Sequence, residues 1–267
     1  SSPARACRYS PHLTNHKTPR TAIHLYVHIP FCHRICPYCS FYKHTPGDTD
    51  LAHFIATLKL EATRRAEQLS PPALETAYLG GGTPSMLSPT HLEALMSGLW
   101  ETFAFAPHAE INLEANPATF GRETARAFAR SGITRVSLGA QSFDSGVLKT
   151  LGRTHSPEDI AHSVNLLRRA GIENVSIDLM FSIPGQSIQQ WQRSLQEALA
   201  LEPDHLSAYN LTYEEDTPFF EALQSGVYKE QEELNASMFE LAHETLTARG
   251  YRHYETSNYS RPGFESR

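Results

Sequence analysis

Residues 174–211 read NVSIDLMFSIPGQSIQQWQRSLQEALALEPDHLSAYNL, and this stretch decides the fold. Asn174–Phe181 is an apolar run that predicts a strand, Ser187–Leu201 predicts a helix, and His205–Leu211 predicts a second strand. Working towards the N-terminus, the unit recurs. Arg135–Leu138 predicts a strand, followed by a helix that Ser156 can cap, with Pro157 at its first position and Gly171 beyond its end. Glu110–Glu114 predicts a strand before a helix over Arg122–Arg130. Thr76–Leu79 runs into Gly80–Gly82 and precedes a helix with Leu92, Leu95, Met96 and Leu99, for which Ser88 is the expected N-cap. His24–Ile29 opens the series, before a helix over Thr49–Leu69 with Leu51, Phe54, Ile55, Leu58 and Ala62 at helical spacing. Towards the C-terminus, helices are expected over Pro218–Gln224 and Gln231–Arg249, before Tyr251–Ser260. Strand-then-helix units in such a row predict an α/β fold, a parallel sheet curved into a barrel with its helices outside. Functional residues are then expected at the C-terminal ends of the strands.

Composition narrows the function classes. The chain has 267 residues, 40% of them apolar and 19% charged, which excludes a disordered chain and a coiled coil. No apolar stretch approaches the ~18 residues of a membrane span. The net charge of −6 argues against general nucleic-acid binding. The charge is uneven: residues 1–47 carry +6, and residues 48–267, with 17 basic and 29 acidic side chains, carry −12. A basic opening suits an anionic ligand near the N-terminal region, and a solvated basic extension over residues 1–22 is the plainer reading. That Ser- and Arg-containing opening weakly resembles an organellar presequence, so the expected location is the cytoplasm, or an organelle matrix if residues 1–22 derive from one.

Three of the four cysteines form Cys32-x3-Cys36-x2-Cys39, directly after the first predicted strand; Cys7 stands apart. So tight a cluster in a chain without a secretory signal reads as a metal or redox site rather than a disulfide framework. Three thiolates can hold three corners of an iron–sulfur cube and leave the fourth iron open. A zinc site completed by His33 or His44 is the alternative on spacing alone.

The surrounding stretch, Tyr26–Phe41, reads YVHIPFCHRICPYCSF. It resembles the signature of the radical S-adenosylmethionine (SAM) superfamily, in the branch of the oxygen-independent coproporphyrinogen III oxidases and HemW-type haem chaperones. The resemblance implies a partial (β/α)6 barrel over residues 23–215 and the start of an α-rich C-terminal region over 216–267. It implies a [4Fe–4S] cluster on Cys32, Cys36 and Cys39, whose open iron binds SAM and whose electron cleaves it to methionine and a 5′-deoxyadenosyl radical. Tyr26 and Tyr38 in this stretch are implied as cofactor contacts.

The likeness continues at the other strand ends. Gly80-Gly-Gly-Thr-Pro-Ser85 allows close backbone approach to a ligand, and the resemblance implies that Gly81, Gly82 and Thr83 contact the methionine part of SAM. Glu114 lies in LEANP, residues 113–117. A carboxylate there is costly to bury unless paired, which alone suggests an ion pair or cap; the family places a Glu in this motif beside SAM. Gln141 in SLGAQSF and Arg153 in LGRTH are implied at or beside the same site. An Arg suits a carboxylate through bidentate hydrogen bonds. Asp178, inside an apolar strand, suggests a barrel interior where it meets a ribose or a basic partner. Tyr209 and Thr212 are candidates to line the pocket, although Tyr209 reads first as core.

Two features bear on the branch. Coproporphyrinogen-oxidising members carry a fourth cysteine two residues after the third; here that position is Phe41, as in the chaperones. The chaperones also carry a His-Asn-x-x-Tyr-Trp segment, expected after Arg267, where the sequence stops. The resemblance therefore implies haem binding and transfer, with haem or a porphyrinogen as ligand. The alternative is oxidative decarboxylation of coproporphyrinogen III to protoporphyrinogen IX. The haemoprotein acceptor and the electron donor are not indicated, nor is any catalytic residue.

Overall fold

The computed structural model describes residues 24–267; the basic opening and Cys7 lie outside the described residues. Strand β1 (His24–Ile29) leads through the cysteine loop to α1 (Leu51–Leu69). Then come β2 (Leu74–Gly81), α2 (Pro89–Thr102), β3 (Phe105–Ala115) and α3 (Arg122–Arg130). Next are β4 (Arg135–Gln141), a short α4 (Ser145–Thr150), α5 (Pro157–Arg169), β5 (Asn174–Phe181), α6 (Ile188–Ala200) and β6 (His205–Asn210). Helices α7 (Pro218–Gln224) and α8 (Glu232–Ala248) precede a hairpin, β7 (Arg252–Glu255) and β8 (Asn258–Ser260).

The six strands β1 to β6 run parallel in sequence order; β8 adds to the far edge antiparallel to β6, and β7 pairs antiparallel with β8. The sheet is thus a partial (β/α)6 barrel, as the alternation of strands and helices predicts. The helix starts are chemically encoded. Ser88 accepts from His91 N at 3.2 Å, and Ser156 with Asp159 forms a capping box.

Alternate strand positions face opposite sides of a sheet. One face here is apolar and buried under the helices, with Val27, Ile29, Leu79, Leu113, Leu138, Ile177 and Leu206 among its members. Helix α8 joins this core through Met238, Ala242 and Leu246, and the buried Trp191 of α6 donates to Met238 O at 2.8 Å. The other face carries Tyr78, Glu114, Ser137, Asp178 and Ser207, a polar wall unlike the continuous apolar runs of a sheet buried on both sides. That polar face is the barrel interior.

Beneath it a buried ion pair joins Glu110, midway along β3, to Arg135 at the start of β4. Arg135, 2% exposed, donates from Nε to Glu110 Oε2 at 3.1 Å. Its Nη2 donates to Phe264 O at 2.7 Å and Glu265 O at 3.2 Å, so the end of the chain is tied under the barrel.

Candidate functional site

The cysteine loop leaves β1 and is fastened at several points. Cys32 N donates to His44 O at 3.0 Å and His44 N to Pro30 O at 2.8 Å, closing the loop on itself. Phe219 N reaches Pro37 O at 3.2 Å, so the start of α7 holds its outer turn. The strand-end residues reach the thiols directly. Thr83 Oγ1 lies 3.5 Å from Cys32 Sγ, and Arg153 Nη1 lies 3.8 Å from Cys36 Sγ.

All three cysteines are free and half-buried. Among the described residues, no three Cys, His, Asp or Glu side chains converge on one ion's position. A zinc ion requires its ligands at about 2.0–2.3 Å from a single point. In the loop, His44 Nδ1 bonds Thr45 O at 3.0 Å, and its ring packs edge-on against Phe31. A cube gives each thiolate an iron of its own, so three thiols spread along one loop suit it.

The glycine turn after β2 makes the loop's inner wall. Gly81 has φ +114°, the region that favours glycine, and a Cβ there would strike the His28 ring. A Cβ on Gly82 would lie 2.6 Å from Phe31 O, in the backbone of the cysteine loop. Gly81 N donates to Glu114 Oε2 at 2.9 Å, and Tyr78 OH donates to Oε1 at 2.7 Å. Burial pushes the Glu114 carboxyl up from its usual range, and these two hydrogen bonds oppose the shift.

At the β4 exit, Gln141 sits at φ +65°, uncommon for a side-chain-bearing residue, beside a register shift after Gly139. Gly139 leaves room for the Asn116 and Gln141 side chains, which a Cβ would meet at 2.8 and 2.9 Å, and Arg153 Nη2 donates to Gly139 O at 2.7 Å and to Asn116 Oδ1 at 2.6 Å. Asn116 Nδ2 in turn donates to Thr83 Oγ1 at 2.9 Å. One network therefore joins the ends of β2, β3 and β4 to the cysteine loop.

Asp178 lies farther along the interior wall. Ser137 Oγ is 2.9 Å from Oδ1 and 2.8 Å from Oδ2, and Ser176 Oγ donates to Oδ1 at 3.4 Å. Burial pushes the Asp178 carboxyl up to about 6, against the hydrogen bonds of Ser137 and Ser207 and with help from the Glu114 charge. Tyr26, on β1, lies at the mouth, stacked on Tyr78 with centroids 6.0 Å apart, and donates to or accepts from His28 Nδ1 at 3.0 Å. Tyr38 packs inward against Phe219, and burial raises its phenol despite the opposing charge of Arg153.

The structure thus gathers Cys32, Cys36, Gly81, Gly82, Thr83, Glu114 and Arg153 around the loop. Gln141 ends the adjacent strand, Asp178 stands deeper in the barrel, and Cys39 and Tyr38 complete the loop. Three contributors escape sequence reasoning as individual residues: Tyr78, Gly139 and Asn116. Asn116 and Gly139 carried a signal, lying two residues beyond Glu114 and two before Gln141 in the quoted segments.

The raised Asp178 carboxyl has a testable consequence for stability. An ionised carboxyl is disfavoured in the folded chain, so this group's stabilising share is complete below its unfolded value. It is lost as pH rises through about 6. Asp178→Asn should therefore melt a few degrees higher than the wild type at pH 7.5, with no gain below pH ~4. Scanning calorimetry at the two pH values checks this.

The Radical SAM superfamily profile matches residues 26–198. The chain belongs to this superfamily. Membership implies SAM and a [4Fe–4S] cluster, and the free thiols and glycine cradle fit that pair. The haem chaperone HemW of Lactococcus lactis is 37% identical over 243 residues, covering 91% of this chain and 63% of its own. The haem chaperone HemW of Escherichia coli is 36% identical, covering 90% of this chain and 63% of its own. The chain thus spans under two thirds of these curated relatives. Coproporphyrinogen III oxidase (HemN) from Escherichia coli, a radical SAM enzyme, superposes with a TM-score of 0.83. It is 27% identical and covers 92% of this chain and 57% of its own. Among the described residues, no helix is long and apolar enough to cross a membrane.

Proposed function

We propose that this chain is the radical SAM part of a haem chaperone, which binds haem and hands it to haemoproteins. The observation that carries the reading is Phe41. Coproporphyrinogen-oxidising relatives place a cysteine there, whereas this chain presents an aromatic ring, 71% exposed, beside Tyr42 at 75%. Two exposed aromatic side chains next to the cysteine loop are costly to leave in water. Ile35 on the same loop and Tyr26 on β1 are exposed as well. A flat, apolar macrocycle would cover such a surface. Arg34, exposed on the loop, offers charge for its carboxylates.

Within this reading, Cys32, Cys36 and Cys39 hold the cluster, which when bound supplies the electron for reductive cleavage of SAM. Gly81, Gly82 and Thr83 receive the methionine end, and Arg153 is placed to meet a carboxylate. Glu114, tied down by Tyr78 and Gly81 N, receives an amine. Asp178 accepts hydrogen bonds from a ribose. Gln141, Tyr26 and Tyr38 line the remaining wall. We divide the chain at residues 215/216 between the barrel and the start of a following region, and place the protein in the cytoplasm or an organelle matrix.

Haem titration of the reconstituted full protein tests the reading, followed by transfer to an apo-haemoprotein. Phe41→Ala should weaken haem binding roughly tenfold, the equivalent of ~1.4 kcal/mol of lost apolar contact. Its melting temperature should stay within a degree or so, because the side chain is exposed in the folded protein. Unchanged haem affinity in this variant would place the haem elsewhere. The oxidase reading is favoured by one observation, the close superposition on HemN, and catalytic turnover of coproporphyrinogen III separates the two.

A further inference from the structure

His205 begins β6 deep in the barrel, 3% exposed, and no role described so far uses it. Its Nδ1 lies 2.8 Å from Ser176 Oγ, on the facing position of β5. Its Nε2 lies 2.8 Å from Tyr254 OH on β7. Tyr254 OH accepts from Ser266 N at 3.1 Å, and Ser176 Oγ donates to Asp178 Oδ1 at 3.4 Å. A continuous line of hydrogen bonds therefore runs from the underside of the barrel to the interior carboxylate. Burial and the nearby Arg135 charge push the His205 imidazole down to about 3, so it is neutral at physiological pH.

A neutral imidazole carries one proton, which gives the line two polarities. In one, Ser176 donates to His205 and gives nothing to Asp178. In the other, Tyr254 donates to Nε2, Nδ1–H donates to Ser176, and the Ser176 hydroxyl proton is left for Asp178. The Ser266 N–H on the Tyr254 oxygen is compatible with this second polarity, which gives the carboxylate a donor beyond Ser137.

We propose that Tyr254 and His205 are positioning residues that act through Ser176 to hold Asp178 as an ionised hydrogen-bond acceptor for its ligand. The inference rests on the reading of Asp178 as a ribose contact, and it ties that contact to the segment docked under the barrel. The other groups facing Asp178 are Glu114 of β3, Tyr78 of β2, Ser137 of β4, and Ser207 and Tyr209 of β6. Tyr254→Phe also removes the acceptor of Ser266 N, so Ser176→Ala, which keeps that contact, separates the line from the docked segment.

The test reads the carboxyl directly, by carbon-13 NMR of the full chain labelled at aspartate, with the Asp178 resonance assigned by its loss in Asp178→Asn. The wild-type midpoint is expected near 6. Tyr254→Phe, which keeps the ring, should raise it by about half a pH unit, and Ser176→Ala by about one, a tenfold change in ionisation. Wild-type midpoints in both variants overturn the proposal. Addition of SAM to the reconstituted wild type is a separate arm. If SAM leaves the Asp178 resonance unmoved, the ribose reading fails, while the midpoints still decide whether the line acts on the carboxyl.

Discussion

Cys36→Ala protein, reconstituted with iron and sulfide in the absence of oxygen, is expected to retain no intact cluster and to cleave no SAM. The physical reason is the site's economy. The loop supplies only three thiols, so each is irreplaceable, and removing one leaves two irons without a protein ligand. An imidazole from His33 or His44 is a poorer ligand for such a cluster than a thiolate, and the polar groups at Cys36 Sγ, the Arg153 guanidinium and the Tyr38 hydroxyl, cannot replace one. The fold should survive, since Cys36 is only half-buried and the loop is fastened through Cys32, His44 and Pro37 backbone groups. Iron and sulfide analysis with visible absorption checks the first claim, and chromatography for 5′-deoxyadenosine checks the second. A full cluster in the variant would show that the ligand assignment is wrong.

Glu110→Ala is expected to destabilise the fold by about 3–5 kcal/mol, the usual cost of leaving one partner of a buried ion pair uncompensated. Arg135 is 2% exposed and its Nη1 already lacks a partner, so the loss of Glu110 leaves the charge with only the Phe264 and Glu265 carbonyls. Glu110 also accepts from Ser266 Oγ at 3.4 Å and Arg267 N at 3.3 Å. The same substitution should therefore free the last residues for proteolysis before the barrel unfolds. Urea denaturation measures the first effect, and limited digestion followed by mass spectrometry measures the second. A loss below about 1 kcal/mol would mean that water reaches Arg135 and screens it.

The strand and helix alternation was open to sequence reasoning because apolar runs, Ser88 and Ser156 are local signals. Other elements were not. Strand β3 begins at Phe105, five residues before the predicted Glu110, because the register with β2 recruits a stretch containing Pro107 and His108. Helix α4 is only six residues long and contains Gly146, so its apolar pattern is too short to register; the Asp144 side chain caps it. The β7–β8 hairpin is polar, and only its pairing with β6 marks it as sheet. The site divides the same way. The cysteine spacing is contiguous and readable. The Arg153–Asn116–Thr83 network joins residues 37 and 33 positions apart, and the His205–Tyr254 contact spans 49. Such pairs exist only once the strands are laid side by side.

The central claim is a SAM-dependent barrel that carries haem rather than oxidising a porphyrinogen. It is tested most directly by giving the complete protein, anaerobically reconstituted and reduced, SAM and coproporphyrinogen III, and measuring decarboxylated product against 5′-deoxyadenosine. The account predicts SAM cleavage with no decarboxylated product. Many turnovers to protoporphyrinogen IX would contradict it and make the protein an oxidase despite Phe41.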